Sequence, residues 1–314
     1  MGATMADIRN RLVSPLVIGT WRLPPPLLVA LTAFGAFLLL VVSTTSWAAP
    51  TDEQAYWRAA VRFAEGESMY DPSATPGDAS YGYWYPPPLA QALAPVTSFL
   101  SPEAFSLVWT LLLLGCLWWL GGRNVFVALA LIAFLPVVVE LRVRNVHLVL
   151  AVLAVLALRR SSLFWIPAAA IKVSPVLGLA YLAAARKWRE AFVTGIVGLA
   201  VLAISVLLAP GAWTEFVAIV VSQAASSEAS IVPVPFPVRF AGAAALAVAA
   251  GLLAHRGPRG SAFPAHEALL IVALTIANPT LWMTAFSLLV AIVPLWRTRH
   301  EGAGQVNAEQ APAN

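Results

Sequence analysis

The chain has 314 residues, of which 60% are hydrophobic and only 11% charged, with a formal net charge of +4 and a mean hydropathy of +0.80. Soluble domains carry roughly 25% charge, so this composition excludes a soluble globule, a disordered chain and a coiled coil. The single cysteine, Cys116, excludes an intramolecular disulfide, and the basic balance is explained by Lys and Arg at the ends of apolar runs rather than by a nucleic-acid partner.

Residues 1–23 are short and basic, with Arg9, Arg11 and Arg22. The apolar run 27–42 follows and ends near Trp47. A cleaved signal peptide is the alternative reading of this stretch, because Ser46-Trp47-Ala48 has a small-x-small form. The many later spans favour a retained first helix, after which the chain emerges outside. Residues 50–88 form the longest polar stretch and carry Asp52, Glu53, Glu65, Glu67, Asp71 and Asp78. Within it Thr51-Asp52-Glu53-Gln54 has the form of a capping box. Tyr56, Ala60 and Phe63 recur at i, i+4 and i+7, which predicts an amphipathic helix on the outer interface, ended by Gly66.

Further apolar runs cover 105–120, 125–139, 146–158, 163–171, 175–185, 192–208, 238–254, 268–277 and 281–295. With the first they make about ten segments and put both termini on one side. Arg123, Arg159, Arg160, Arg186, Lys187, Arg189, Arg256, Arg259, Arg297 and Arg299 then share the side of the basic N-terminus, which the positive-inside rule makes the cytoplasm. Arg58, Arg62, Arg142, Arg144, Lys172 and Arg239 are left at or near the outer face. The runs 163–171 and 175–185 are each about 10 residues, or roughly 15 Å of helix, against the about 20 residues of a full span. They read as a hairpin of half-helices whose apex, Lys172-Val173-Ser174-Pro175, lies within or near the membrane. Irregular backbone is tolerated there only against protein or a wet cavity. The pair 268–277 and 281–295, with its Asn278-Pro279 apex, reads the same way. Residues 301–314 read as a disordered cytoplasmic tail, and 1–300 as a single membrane domain with an outer loop over 48–102.

Four stretches carry possible chemistry. Asp52 could be no more than a first-turn acid favoured by the helix dipole, or a carboxylate facing a lipid-borne substrate, with Glu53 competing for that role. The aromatics Tyr81, Tyr83, Trp84 and Tyr85 before Pro86-Pro87-Pro88 could be an interface belt or a stacking platform for a sugar. Arg142-Val143-Arg144-Asn145-Val146-His147 puts ionisable groups between two apolar runs, where they are costly, although arginines at a helix end can snorkel. Lys172 at the hairpin apex needs an anion nearby, either a lipid phosphate or an internal carboxylate such as Glu140. Phosphate loops, CxxC and HExxH patterns are lacking in the sequence, and His147, His255, His266 and His300 are scattered, so no metal site is expected.

These pieces, in this order, resemble glycosyltransferase family 87, whose members have the GT-C fold and use polyprenyl-phosphate sugars. Asp52-Glu53-Gln54-Ala55-Tyr56, with Gly66 and Met69-Tyr70-Asp71, is similar to the family's acidic first outer loop. Tyr83-Trp84-Tyr85-Pro86-Pro87 is similar to its Tyr-Pro-Pro stretch, and Ala170-Ile171-Lys172-Val173-Ser174-Pro175 to its Ile-Lys-x-x-Pro motif. Arg144-Asn145-Val146-His147 stands where members carry a Gly-Gln-Val-Asn-like motif, so Arg144-Asn145 replaces the Gly-Gln pair. Pro279-Thr280-Leu281-Trp282-Met283 resembles a Pro-x-x-Trp stretch.

The resemblance implies an all-α, polytopic, GT-C-like bundle of about ten transmembrane or half-membrane helices, with an amphipathic helix in its first outer loop. It implies an inverting hexosyltransferase, an α-mannosyltransferase, moving mannose from a polyprenyl-phosphate donor to a glycolipid or glycan at the outer face of the inner (plasma) membrane. Asp52, or Glu53 in its place, would be the general base. Lys172, Arg142, Arg144, His147 and Arg239 would bind the donor phosphate, and Tyr56, Tyr83, Trp84 and Tyr85 the sugar or acceptor. No cofactor or metal is expected beyond the donor. The partners are membrane lipids, the lipid-linked donor and the acceptor. Two other classes fit the residues: a flippase or transporter for lipid-linked sugars, which would also use half-helices and midplane charges, and a catalytically inactive membrane partner.

Overall fold

A computed structural model describes residues 10, 12–18, 21–23, 25–45, 52–70, 82–225, 230–256 and 265–297. Thr51, Tyr81, the 46–48 stretch and the tail over 301–314 lie outside the described residues. A two-stranded antiparallel ribbon, β1 (Leu16–Ile18) and β2 (Trp21–Leu23), precedes the helices, and among the described residues every later element is helical.

The helices, in order, are α1 (Pro26–Thr45), α2 (Asp52–Ala64), α3 (Pro87–Thr97), α4 (Pro102–Leu120), α5 (Val125–Ile132), α6 (Leu135–Val143) and α7 (His147–Arg159). They continue as α8 (Trp165–Ile171), α9 (Leu177–Ala184), α10 (Trp188–Leu208), α11 (Pro210–Ala225), α12 (Phe236–Arg256) and α13 (Ala265–Ile276). Among the described residues four helices are long and apolar enough to cross a membrane: α1, α4, α10 and α12, or five spans if the bent pair α5–α6 counts as one.

This differs from the expected row of segments in four places, each with a local cause. The run 125–139 breaks by 90° between α5 and α6, where Pro136 sits in the first turn of α6 and cannot continue the preceding ladder. The run 146–158 becomes the 13-residue α7, too short for a full span. Helix α11, which the sequence reading missed, starts at Pro210, a residue suited to a helix N-terminus. The run 281–295 holds a nine-residue 3₁₀ stretch, Met283–Ala291. Two short helices do flank the expected apex: α8 and α9 are separated at Lys172–Val176, where Lys172 is extended (φ −144°, ψ 149°) and Ser174–Val176 form a 3₁₀ turn.

Lipid tails are as apolar as leucine, so helices in a bilayer associate through close packing of small residues and polar ties. Ala243, Ala247, Ala250 and Gly251 line the buried face of α12 where it meets α9 and α13. A Cβ on Gly251 would stand 2.5 Å from the Tyr181 carbonyl oxygen and 2.6 Å from Ala184 Cβ. Helix α1 packs on α5 with Thr32 Oγ1 donating to the Phe126 carbonyl at 2.9 Å. Both α1 and α10 are only 11% buried along their spans and present Phe37, Leu40, Phe192 and Leu207 outward, as a lipid-facing helix does.

Two arginines fasten the ends of the bundle. Arg159 of α7 donates to both carboxylate oxygens of Glu267 on α13, at 2.9 Å each, and to the Leu295 carbonyl at 2.9 Å. Arg239 of α12 donates to the carbonyls of Val234 (3.0 Å), Ile276 (3.1 Å), Asn278 (2.7 Å) and Pro279 (2.6 Å). The second apex, Asn278-Pro279, thereby finds donors for carbonyls that no helix satisfies.

Helix α2 forms where the periodicity put it, but its buried face, with Ala55, Tyr56, Ala59 and Ala60, is spent on protein. It packs against α3 and α4.

Candidate functional site

Four segments converge on one polar cluster. They are the first turn of α2, the Tyr83–Tyr85 approach to α3, the α6–α7 junction, and the α8–α9 apex.

The α6–α7 junction organises it. Helix α6 ends in Arg144, whose backbone is left-handed (φ 55°, ψ 49°) with its N–H bonded to the Glu140 carbonyl. The chain thus turns sharply, and Asn145 and Val146 lead directly into α7. The start of α7 has no side-chain cap from its own flank. The Glu140 carboxylate serves instead: Oε1 accepts from the backbone N–H of His147 (2.5 Å) and Leu148 (3.3 Å). An anion at this end meets unpaired N–H groups and the positive end of the helix dipole. The other oxygen of Glu140 lies 3.1 Å from His147 Nδ1, and His147 Nε2 lies 2.8 Å from Lys172 Nζ.

The second arm runs through Asn145. Its amide nitrogen donates to Asp52 Oδ2, while its amide oxygen accepts from the Tyr85 hydroxyl at 3.0 Å and from the Val146 N–H at 2.7 Å. Tyr85 in turn accepts from the Tyr56 hydroxyl at 2.8 Å. The Lys172 ammonium sits 5.3 Å from the centroid of the Tyr85 ring, within cation–π range. The two arms therefore close on each other, with Asp52 at one end and Lys172 at the other.

Burial separates the members. Glu53, Glu140, Asn145, His147, Tyr56, Tyr83 and Tyr85 are buried, whereas Asp52 and Lys172 remain half-buried. Burial pushes the Asp52 carboxyl up to about 7, against the opposing pull of Lys172 and the Asn145 hydrogen bond.

Glu53, one residue along, is placed differently. Its Oε1 accepts from Arg144 Nη1 (2.6 Å) and from Ser106 Oγ (2.8 Å), and none of it is exposed. Arg144 is held by that ion pair, and its carbonyl takes the Trp109 indole N–H at 2.9 Å. Arg239 is occupied by the second apex, and Arg142 is exposed. Of the five residues expected at a donor phosphate, Lys172, His147 and Arg144 are in the cluster, and Lys172 alone of these three is half-exposed.

The aromatics mostly serve the architecture. Tyr83 donates to the Pro86 carbonyl and accepts from the Ala90 N–H, at 2.8 and 3.0 Å. Tyr70 donates to the Tyr85 carbonyl at 2.8 Å. Tyr56 packs edge-on against Tyr85 and Trp109, at 4.8 and 5.2 Å between centroids. Trp84 is half-buried. The sequence reading named Glu140 only as a possible partner of Lys172 and gave Asn145 no role, although both stand beside residues it singled out. A cleft of about 500 Å³ lies elsewhere, lined by Ser161, Arg186, Lys187, Trp188 and Arg189 among others, and shares no residue with the cluster. Among the described residues no group of three or more His, Cys, Asp or Glu is arranged to hold a metal ion.

Helices of spanning length around a half-buried acid and a half-buried cation define a membrane-embedded protein with an enzyme-like polar centre. The model of glycosyltransferase family 87 matches residues 83–308, and the chain belongs to that family. The match includes the α6–α7 junction and the α8–α9 apex, and it begins after α2, so the case for Asp52 rests on geometry. No curated protein and no solved structure was found to match the chain.

Proposed function

We propose that the protein is an inverting hexosyltransferase. It moves mannose from a polyprenyl-phosphate donor to a glycolipid or glycan acceptor, at the outer face of the cytoplasmic membrane, with both termini inside. Glycosyl transfer itself follows from the family, and that match favours transfer over flipping of a lipid-linked sugar. One observation carries the mechanistic reading: in a cluster otherwise closed to solvent, the two accessible members are a carboxylate and an ammonium, Asp52 and Lys172.

In this reading the acceptor oxygen attacks the anomeric carbon from the side opposite the donor phosphate. As the new C–O bond forms, the acceptor's proton passes to the Asp52 carboxylate. The bond between the anomeric carbon and the phosphate oxygen breaks, and its electron pair leaves with the lipid phosphate. That leaving group needs its charge stabilised rather than a proton. A fixed cation in a water-poor site does this well, and Lys172 is the cation so placed. Asn145 orients Asp52 by donating to one oxygen, which leaves the other for the acceptor. Glu53 is the weaker candidate for the base, because it is buried and paired with Arg144. Of the aromatics proposed at the sugar or acceptor, Tyr56, Tyr83 and Tyr85 are buried and Trp84 is half-buried.

The test is transfer of radiolabelled mannose from polyprenyl-phosphate-mannose to glycolipid in membranes holding matched amounts of protein. Asp52→Asn should lower the rate by about 10²–10⁴-fold, the usual contribution of a general base, while Glu53→Gln retains more activity. Near-wild-type transfer by Asp52→Asn would refute the assignment.

A further inference from the structure

Glu140 touches neither reacting group in the transfer just described, yet it is completely buried at the centre of the cluster. Capping α7 accounts for one of its oxygens. The second oxygen does something else: it faces His147 Nδ1 at 3.1 Å, and the far side of that ring faces Lys172 Nζ at 2.8 Å.

The direction of the protons follows from the donor inventory. A lysine ammonium has three N–H donors and no acceptor, and a carboxylate only accepts. The ring between them must therefore accept on Nε2 and donate from Nδ1, which is one tautomer of the neutral imidazole. Ring tautomer is commonly set by the hydrogen bond that the other nitrogen makes.

We propose that Glu140 is a positioning residue that acts through His147, fixing its tautomer so that the ring presents an acceptor to Lys172. The alternative, a direct Glu140–Lys172 ion pair, would satisfy the ammonium with a full negative charge and turn it away from an incoming phosphate. The interposed neutral ring holds Lys172 by one N–H over the Tyr85 face and leaves two N–H groups for an anion. The groups facing this ammonium are then His147 and Tyr85, with Asp52 and Glu140 acting through space. The proposal deepens the reading above and depends on it where it takes Lys172 to bind a lipid phosphate.

Two measurements on the full chain in nanodiscs test it. The first is solid-state NMR of ¹⁵N-histidine-labelled protein, with His147→Gln assigning the signal. His147 should show a protonated Nδ1 and a bare Nε2 in the wild type. Glu140→Gln should abolish that pattern, because its amide cannot accept at Nδ1 and at both backbone N–H groups together. A protonated Nε2 in the wild type overturns the proposal.

The second is binding of polyprenyl monophosphate. Partners that orient the ligands of a metal ion account for about 10–100-fold in affinity, and by analogy Glu140→Gln should weaken phosphate binding by about tenfold. Lys172→Met combined with Glu140→Gln should bind no worse than Lys172→Met alone, the non-additivity of residues acting as one unit. His147→Phe, which keeps the ring volume, should behave as Glu140→Gln does. His147→Gln, with a donor at one end and an acceptor at the other, should bind close to wild type. Additive losses, or full binding by His147→Phe, overturn the proposal. A wild-type protein with the expected ring pattern that fails to bind polyprenyl phosphate supports the relay and refutes the lipid-phosphate donor.

Discussion

Asp52 stands in the first turn of α2, where the helix dipole favours an ionised acid. Loss of water outweighs that help and raises its carboxyl to about 7. A general base must be ionised to work, so transfer should climb as pH rises through about 7 and level off above it. A rate that falls over that interval would contradict the role. The sign for stability is the opposite. A raised folded-state value means that the native protein holds this proton more tightly than the unfolded chain. Asp52 therefore contributes stability at low pH that is lost as pH rises from the ordinary carboxylate range, near 3.8, to about 7. At this scale the sequence showed Asp52 and Lys172, because an acid at a helix start and a lysine between two short apolar runs both stand out locally. It could not show that Arg144 and Arg239 are consumed inside the protein. Their partners, Glu53 and the 276–279 carbonyls, are far away in the chain. Nor could it show which oxygen of Glu140 meets which nitrogen.

Among the elements, the pair of short helices α8 and α9 was legible because length alone distinguishes about 10 apolar residues from the about 20 of a span. The break between α5 and α6 had a visible signal in Pro136. Helix α11 was hidden because Pro210-Gly211 reads as a stop and Glu215 interrupts the apolar pattern. The 3₁₀ stretch Met283–Ala291 has the same residue types as an α-helix, so periodicity has nothing to separate them. The α9–α12 contact makes its own prediction. Gly251→Ala puts a methyl group 2.5 Å from the Tyr181 carbonyl, and overpacking of this kind costs about 1–3 kcal/mol. The thermal unfolding midpoint in detergent should fall measurably. Gly195→Ala, on α10 with nothing within 4 Å of the added carbon, should leave it unchanged.

For the molecule as a whole, the distribution of basic residues sets an expected orientation, which a single probe can read. Cys116 is the only cysteine and is buried, so Cys116→Ser gives a blank background. A cysteine placed at Ser98, exposed just past α3, should react with an impermeant maleimide added outside intact cells. One placed at Arg189, exposed at the start of α10, should react only after the membrane is opened. The reverse pattern would turn the bundle over and move the Asp52 cluster to the cytoplasmic face.

The backbone of Arg144 carries a consequence for how such a chain can change over time. A left-handed residue other than glycine costs about 1–2 kcal/mol, and glycine is what the similar motif holds at this place. Here the arginine stays because Glu53 would otherwise be a buried acid without a counter-charge. Positions 53 and 144 are thus a compensating pair, and neither can drift alone. Arg144→Gly by itself should lower the yield of folded protein, while Arg144→Gly with Glu53→Gln should recover it, by size-exclusion profile in detergent. Drift between the two states would have to change both positions together, since removing either partner first strands the other's buried charge.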